Sequence, residues 1–356
     1  MTSSPESAPG SAPPLYVAEG HRDVYEQVRE SLRGDRRVLR RTILPRLRAG
    51  GVGLVVYAIC GDTVDHAQGT DRPLWAALDH LDRFQLEADQ PGSGISVVRS
   101  RENLVDAHDG QVRFLLHFEG ASPLEGSLAL LRAFYRLGLR SIQPVHNRRN
   151  QLGDGVAESA TGGGLTRAGE AMLREMERLG MVIDLAHAST ATLAHALRIV
   201  SRPVVVSHSN CSALCPHVRN LTDDQLRALR DNGALVGINT ISHFIDAKQP
   251  TLERLVDHLE HLVGILGADH VYIGGDFTKF DNPRSTRDMR YGSGDVYLAG
   301  LEEADQYPNL AEAMRRRGFA NEDVAAIMGR NFVRHLRRTL PSERDLPAVS
   351  PPEAGT

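Results

Sequence analysis

Eight short apolar runs, separated by segments of helical pattern, constrain the fold of this chain more than any other feature. The runs are LYVAEG (15–20), GLVVYAI (53–59), RFLLHF (113–118), RSIQPV (140–145), MVIDLA (181–186), PVVVSH (203–208), ALVGIN (234–239) and HVYIGG (270–275). Most of them carry apolar residues on both faces, which is typical of parallel strands covered by helices. They predict eight buried parallel strands.

The intervening segments predict amphipathic helices. Residues 165–180 begin with Thr166, an N-cap candidate, and end at Gly180, and residues 221–233 follow the same pattern. The long segment 60–112 is predicted to carry a helix of its own and a short extra strand, ISVVRS.

Strands that alternate with helices in this way predict a (β/α)8 TIM-like barrel, an α/β fold that needs roughly 250 residues. A doubly wound open sheet is the alternative. The first predicted strand is not followed by GxGxxG and the chain has no P-loop, which disfavours nucleotide-binding versions of that sheet. We predict one barrel domain at 15–338, a disordered lead at 1–14 and a disordered tail at 339–356.

Composition excludes several classes of partner. The formal charge of −4 over 356 residues is too small to indicate binding to nucleic acid or to a membrane surface. No apolar run approaches the roughly 18 residues of a membrane span, and the N-terminus lacks the features of a signal peptide. Three cysteines are too few for a disulfide framework and fit a reducing compartment. We therefore expect a cytoplasmic protein.

Residues of metal-binding or acid–base type follow six of the eight predicted strands. They are His21, Asp23, Glu119, His146, His187, His208 and Asp276. A single histidine at a strand end is more often a hydrogen-bonded core residue. Seven such residues at the end of a barrel where active sites form instead predict a metal site.

The ligand types indicate the metal and the chemistry. Imidazole and carboxylate without thiolate suit Zn²⁺, or Mn²⁺ or Fe²⁺. The five candidate ligands are His21, Asp23, Glu119, His187 and His208, more than one catalytic zinc uses. Glu119, in the middle of the set, is predicted to bridge two ions, which together hold a hydroxide nucleophile. Asp276 would then pass a proton to the leaving group.

Seven stretches in order resemble the membrane (renal) dipeptidase family, zinc-dependent enzymes related to the amidohydrolases. They are EGHRDV (19–24), LLHFEGA (115–121), PVHNRRNQLGDG (144–155), GLTRAGEAMLREMERLGMVIDLAH (164–187), VVVSHSN (204–210), VRNLTDDQL (218–226) and YIGGDF (272–277). The resemblance extends from about residue 15 to 338. It implies a dipeptide substrate and a homodimer.

The resemblance also implies a role for each site residue. One zinc would be bound by His21, Asp23 and Glu119, and the other by His187, His208 and the shared Glu119. His146 would polarise the scissile carbonyl and stabilise the oxyanion. Arg219 would bind the terminal carboxylate of the substrate. Asp276 would be the proton shuttle near the amino group of the substrate.

Two stretches depart from the family pattern. The family has Asn-Asp-Leu-Pro after its first histidine, whereas this chain has Arg22, Val24 and Tyr25 at the first, third and fourth of these positions. The last family motif closes with Asp-Gly, whereas this chain has Thr278 and Lys279. Inward-pointing Arg22 and Lys279 side chains would disfavour a free α-ammonium group and favour an acidic or N-blocked amide.

The leading hypothesis is a dinuclear zinc-dependent hydrolase that cleaves the amide bond of a dipeptide, L-Xaa-L/D-Xaa. One alternative is a biosynthetic tailoring amidohydrolase that acts on a modified, acidic or N-blocked amide. Another is a catalytically silent barrel. Of the remaining histidines, His117 is predicted to be a core residue beside the site, and His258 and His261 to lie on a solvated helix face.

Overall fold

The computed structural model describes residues 15–23, 25–62, 72–105, 108–277 and 296–345. Eight parallel strands form a nearly closed barrel, and a ninth short strand lies beside it. They are β1 Val17–Asp23, β2 Val52–Gly61, β3 Ile95–Val97, β4 Val112–Glu119, β5 Leu139–Gln143, β6 Val182–Ile183, β7 Val205–Val206, β8 Leu235–Asn239 and β9 Val271–Phe277.

The strand order shows that the sheet closes on itself. Neighbouring strands follow the order β6-β5-β4-β2-β1-β9-β8-β7, and every pairing is parallel. A bridge between Asp184 and Val205 joins the two end strands. The extra strand β3 pairs with the first residues of β4. The predicted (β/α)8 TIM-like barrel is confirmed, and the open-sheet alternative is wrong.

Helices connect the strands and cover the outside of the barrel. They are α1 Tyr25–Leu32, α2 Leu44–Ala49, α3 Pro73–Ala88, α4 Leu128–Leu137, α5 Arg167–Leu179, α6 Thr190–Ile199, α7 Asp223–Asn232, α8 Leu252–Leu266, α9 Tyr307–Arg316, α10 Asn321–Ala325 and α11 Asn331–Thr339. The predicted caps are confirmed: Thr166 accepts a hydrogen bond from the Gly169 amide, and Gly180 ends α5 in the left-handed conformation. None of the described helices is long and apolar enough to cross a bilayer.

Helix α11 closes the amino-terminal end of the barrel. Its residues Phe332, Val333 and Leu336 are buried in one apolar cluster with side chains from the strands, including Leu54 and Tyr272. The rings of Tyr272 and Phe332 stack with centroids 4.6 Å apart. Apolar side chains fill most of this end, and the candidate site residues lie at the carboxyl ends of the strands.

The chain after α11 stays in contact with the body of the protein. Leu340 is fully buried, and the Pro341 carbonyl accepts a hydrogen bond from the Arg101 amide. The Glu343 amide donates to the Glu102 carboxylate at 3.0 Å. Residues 340–345, at the start of the segment predicted to be a tail, therefore contact the turn that follows β3.

Candidate metal and catalytic site

An irregularity in β1 turns His21 into the barrel. The pairing of β1 with β2 shifts register between Glu19 and Arg22. As a result the fully buried His21 ring faces the interior, where its centroid lies 4.2 Å from that of His208 and 5.5 Å from that of His117. Nε2 of His21 lies 3.6 Å from the Asp23 carboxylate, so the predicted pair converges.

The centre of the site is Glu119, the last residue of β4. Its Oε1 atom lies near Nε2 of four histidines: 3.5 Å from His21, 3.6 Å from His146, 3.2 Å from His187 and 3.8 Å from His208. The four histidines come from four different strand ends, and Glu119 comes from a fifth. The structure thus brings the predicted central carboxylate and all four strand-end histidines together.

The Nε2 atoms of His187 and His208 face each other 2.8 Å apart. Nδ1 of His187 lies 2.8 Å from Oδ1 of Asn147. With the proton on Nδ1, Nε2 has a free lone pair for a cation. Nδ1 of His208 lies 2.7 Å from the Ser207 hydroxyl. His187 has φ of +64°, a conformation that is rare outside glycine. Such strain is typical of functional sites.

The donor set fits a divalent cation. Three groups of ligand atoms each lie within 4.8 Å of one another: His21, Asp23 and Glu119; Glu119, His146 and His187; and His21, His208 and Asp276. Among the described residues, neither buried ring nitrogen of His21 has a hydrogen-bond partner. Buried polar atoms in proteins are almost always paired, so these nitrogens are suited to an ion. Distance alone does not separate His146 from the other histidines.

Burial dominates the electrostatics of the site. It raises the pKa of Glu119 well above its ordinary value, and the negative charge of Asp23 adds to this shift. It also raises the pKa of Asp276 to about 7. Burial lowers the pKa of His187 and His208 well below the usual range. These four shifts disfavour a charged side chain, and a bound cation reverses that preference for the carboxylates. The pKa of His21 moves the other way, to about 10, because the carboxylates of Asp23 and Glu119 outweigh its burial.

Asp276 lies at the end of β9, the strand that pairs with β1 and β8. Its φ is +74°, and one carboxylate oxygen accepts a hydrogen bond of 2.7 Å from Nδ2 of Asn239 on β8. The other ligand-type atoms near it are those of His21 and His208. Asn239 therefore holds the carboxylate in one orientation over the histidines.

Arg219 is buried beside the same histidines. Its Nη2 donates to the His208 carbonyl at 3.1 Å, and its guanidinium lies 5.8 Å from the ring centre of Phe244. It borders a cleft of about 380 Å³ that His187 also lines. A cation at the edge of this cleft is suited to bind a carboxylate group.

Arg22, the first departure from the family motif, is a buried and ion-paired residue. Its side chain is 5% exposed and makes ion pairs with Glu19 at 3.1 Å and Glu303 at 2.6 Å. These two carboxylates neutralise the guanidinium charge. The register shift in β1 turns the Arg22 side chain away from His21. Lys279, Thr278 and Val24 lie outside the described residues.

Four residues that contact the site residues were missed at the sequence level: Asp62, Asn147, Ser207 and Asn239. Asn147 and Ser207 are chain neighbours of His146 and His208, and that adjacency could have singled them out. No local signal distinguishes Asp62 or Asn239. His117 is a buried core residue as predicted, with ring nitrogens 2.9 Å from Ser141 and Gln143.

The comparisons with known proteins agree on one family. The model of the membrane dipeptidase family (peptidase family M19) matches residues 14–348. Dipeptidase tcpJ of Claviceps purpurea is 33% identical over an alignment of 302 residues, and the match covers 82% of this chain and 66% of that protein. This chain therefore spans just under two thirds of that relative's length. Dipeptidase aclJ of Aspergillus oryzae is 34% identical over an alignment of 333 residues, and the match covers 85% of this chain and 73% of that protein.

A solved structure extends the likeness to three dimensions. The metallopeptidase of Rhodobacter sphaeroides, bound to a phosphinate mimic of the dipeptide L-Ala-D-Ala, is 27% identical and superposes with a TM-score of 0.79. The superposition covers 91% of this chain and 99% of that one. From sequence match and structural likeness together, the chain belongs to the membrane dipeptidase family, peptidase family M19.

Proposed function

We propose that this protein is a dipeptidase that uses two divalent metal ions, with Zn²⁺ as the expected metal. The observation that carries the proposal is the approach of four imidazole nitrogens to one carboxylate oxygen of Glu119, at 3.2–3.8 Å. His21 and Asp23 would hold one ion and His187 and His208 the other. Glu119 would be shared between them.

The bound ions would supply Lewis-acid polarisation of the amide carbonyl and a nucleophilic water at neutral pH. The protein residues do the rest. His146, at the rim of the cluster, is suited to stabilise the developing oxyanion. Arg219 is suited to bind the carboxylate of the substrate, and Asp276 to carry a proton to the leaving amine. A dipeptide, L-Xaa-L-Xaa or L-Xaa-D-Xaa, is the substrate that meets these groups.

An acidic or N-blocked substrate has less support. That hypothesis depended on two unpaired cations near the pocket, and Arg22 is paired with Glu19 and Glu303. Two relatives carry the name dipeptidase, and the Rhodobacter structure contains a dipeptide mimic. These observations favour the ordinary dipeptidase over a tailoring amidohydrolase.

The test is hydrolysis by zinc-loaded full-length protein of free L,L- and L,D-dipeptides beside N-acetylated and acidic-amide analogues. We expect turnover of the free dipeptides. An Asp276→Asn variant should lose at least about 100-fold in kcat while it retains its zinc, because it removes a proton-transfer group rather than a ligand. Turnover of the blocked analogues alone would refute the dipeptidase proposal.

A further inference from the structure

One carboxylate next to the site has no part in the mechanism above. Asp62 is the first residue after β2, and its backbone N–H donates to the Glu119 carbonyl at 2.9 Å. This bond continues the β2–β4 pairing to the residue that carries the central carboxylate. Asp62 is therefore fixed relative to the backbone of Glu119.

The side chain of Asp62 joins two further loops. Its Oδ1 accepts from the Ser122 amide at 2.8 Å, in the loop after β4. Its Oδ2 accepts from the His146 amide at 3.1 Å and from Nδ2 of Asn150 at 3.0 Å, in the loop after β5. Both oxygens are used, and all the donors come from the loops that carry Glu119 and His146.

The turn after Glu119 leaves space for the Asp62 carboxylate. Gly120 has φ of +91°, in the left-handed region, and a Cβ atom on it would overlap the Asp62 side chain. Only glycine meets both conditions without strain. Asn150 is itself held, since it donates to the Pro144 carbonyl at 2.8 Å and accepts from the Leu152 amide at 2.8 Å. The carboxylate thus lies in a preformed pocket of donors.

We propose that Asp62 is a positioning residue that sets His146 against Glu119 for catalysis, which deepens and rests on the function proposed above. The two side chains it aligns lie 3.6 Å apart, Nε2 of His146 to Oε1 of Glu119. Oxyanion stabilisation depends on donor placement, and a displacement of about 1 Å can cost on the order of 100-fold in rate.

The experiment is a double-mutant cycle in zinc-loaded full-length protein with a free dipeptide. Asp62→Ala should lower kcat by about 10- to 100-fold. KM should change by less than about 3-fold, because ground-state binding is retained. If Asp62 acts through His146, adding Asp62→Ala to His146→Ala should cost less than about 3-fold more. If Asp62→Ala lowers kcat as much in the His146→Ala variant as in the wild type, the proposal is overturned.

Glu87 provides a matched control. It is a buried carboxylate on α3 that accepts from the Leu39 amide at 2.9 Å and from Nε2 of Gln27 at 3.2 Å, neither of them a candidate site residue. Glu87→Ala should lower the melting temperature as Asp62→Ala does but leave kcat unchanged. If the two variants behave alike in both measurements, Asp62 has only a structural role and the proposal fails.

Two further measurements keep the proposal testable. If Asp62→Ala does not fold, Asn150→Ala removes one of the donors and should lower kcat several-fold in the same direction. A crystal structure of Asp62→Ala or Asn150→Ala should show His146 displaced, and an unmoved His146 would refute the proposal even without an assay. Wild-type protein that is inactive on every dipeptide would instead be a failure of the proposed function.

Discussion

At the scale of single residues, the contacts of Arg22 indicate whether this residue affects protein stability or substrate specificity. Its guanidinium is shared between Glu19 and Glu303, both of them buried or nearly so, and lies 5.4 Å from the ring centre of Phe277. Removing one partner of a buried ion pair leaves an uncompensated charge, which costs more than the pair itself contributes. Arg22 is therefore expected to stabilise the end of β1 rather than select the substrate.

Replacing Arg22 with asparagine, the residue of the family motif, should lower the free energy of unfolding by about 3 kcal/mol. Relative rates across a panel of neutral and acidic dipeptides should stay unchanged, because the charge does not face the pocket. Denaturant unfolding and the substrate panel measure the two effects. Arg33→Ala, which removes the exposed pair with Glu30, is the control and should leave stability unchanged. A shifted substrate preference without a loss of stability would contradict this account.

At the scale of secondary-structure elements, the strand ends carry the candidate site residues and the helices hold them in place. Strands β6 and β7 are only two residues long, shorter than the runs that predicted them. After β6 the chain turns, and His187 lies in that turn with φ of +64°. Helix α5 fixes the loop before it, because the Thr166 hydroxyl also donates to the Gln151 carbonyl at 2.7 Å.

Thr166→Ala should lower the free energy of unfolding by about 1 to 2 kcal/mol, because it removes the N-cap of α5. Thr166→Ser keeps the hydroxyl and should retain most of the stability. Thermal or urea unfolding compares the two variants. Equal losses in both would mean that the methyl group, not the cap, stabilises this helix.

At the scale of the whole molecule, α11 closes the amino-terminal end of the barrel, and the candidate site lies at the carboxyl ends of the strands. Within α11, His335 is buried, and burial lowers its pKa to about 4. In the unfolded chain the same group has a pKa near 6.5. Between these two values the unfolded state binds more protons than the folded state, so stability falls as the pH falls from 6.5 to 4.

His335→Gln should remove this part of the pH dependence, which amounts to at most about 3 kcal/mol over that interval. The measurement is the difference in unfolding free energy between wild type and variant from pH 8 to pH 4. We expect the difference to be constant above pH 7 and to move in favour of the variant at lower pH. A difference that does not change with pH would show that His335 is not held neutral.

The barrel, its strand count and the seven strand-end residues could all be read from the chain. Apolar runs and helix caps are local patterns, and the carboxyl ends of barrel strands meet at one face whatever the loops contain. Prediction failed where the partner is distant in sequence. His258 was expected on a solvated face, but its Nδ1 accepts from the Cys211 amide at 3.1 Å and its Nε2 lies 2.9 Å from the Ile245 carbonyl. His261, three residues along, lies 2.8 Å from Asp223.

Local sequence was therefore enough to identify the fold, the family and the cluster of candidate ligands. Only the tertiary structure determines which charged side chains form ion pairs and which loops are hydrogen-bonded to each other. Arg22 meets Glu303 across 281 residues, and Asp62 meets the His146 amide across 84. The physical reason is that the hydrophobic periodicity of a sequence indicates which side of a single helix or strand is buried. The hydrogen-bond partner of a buried polar group depends instead on which loops come within hydrogen-bonding distance when the sheet closes.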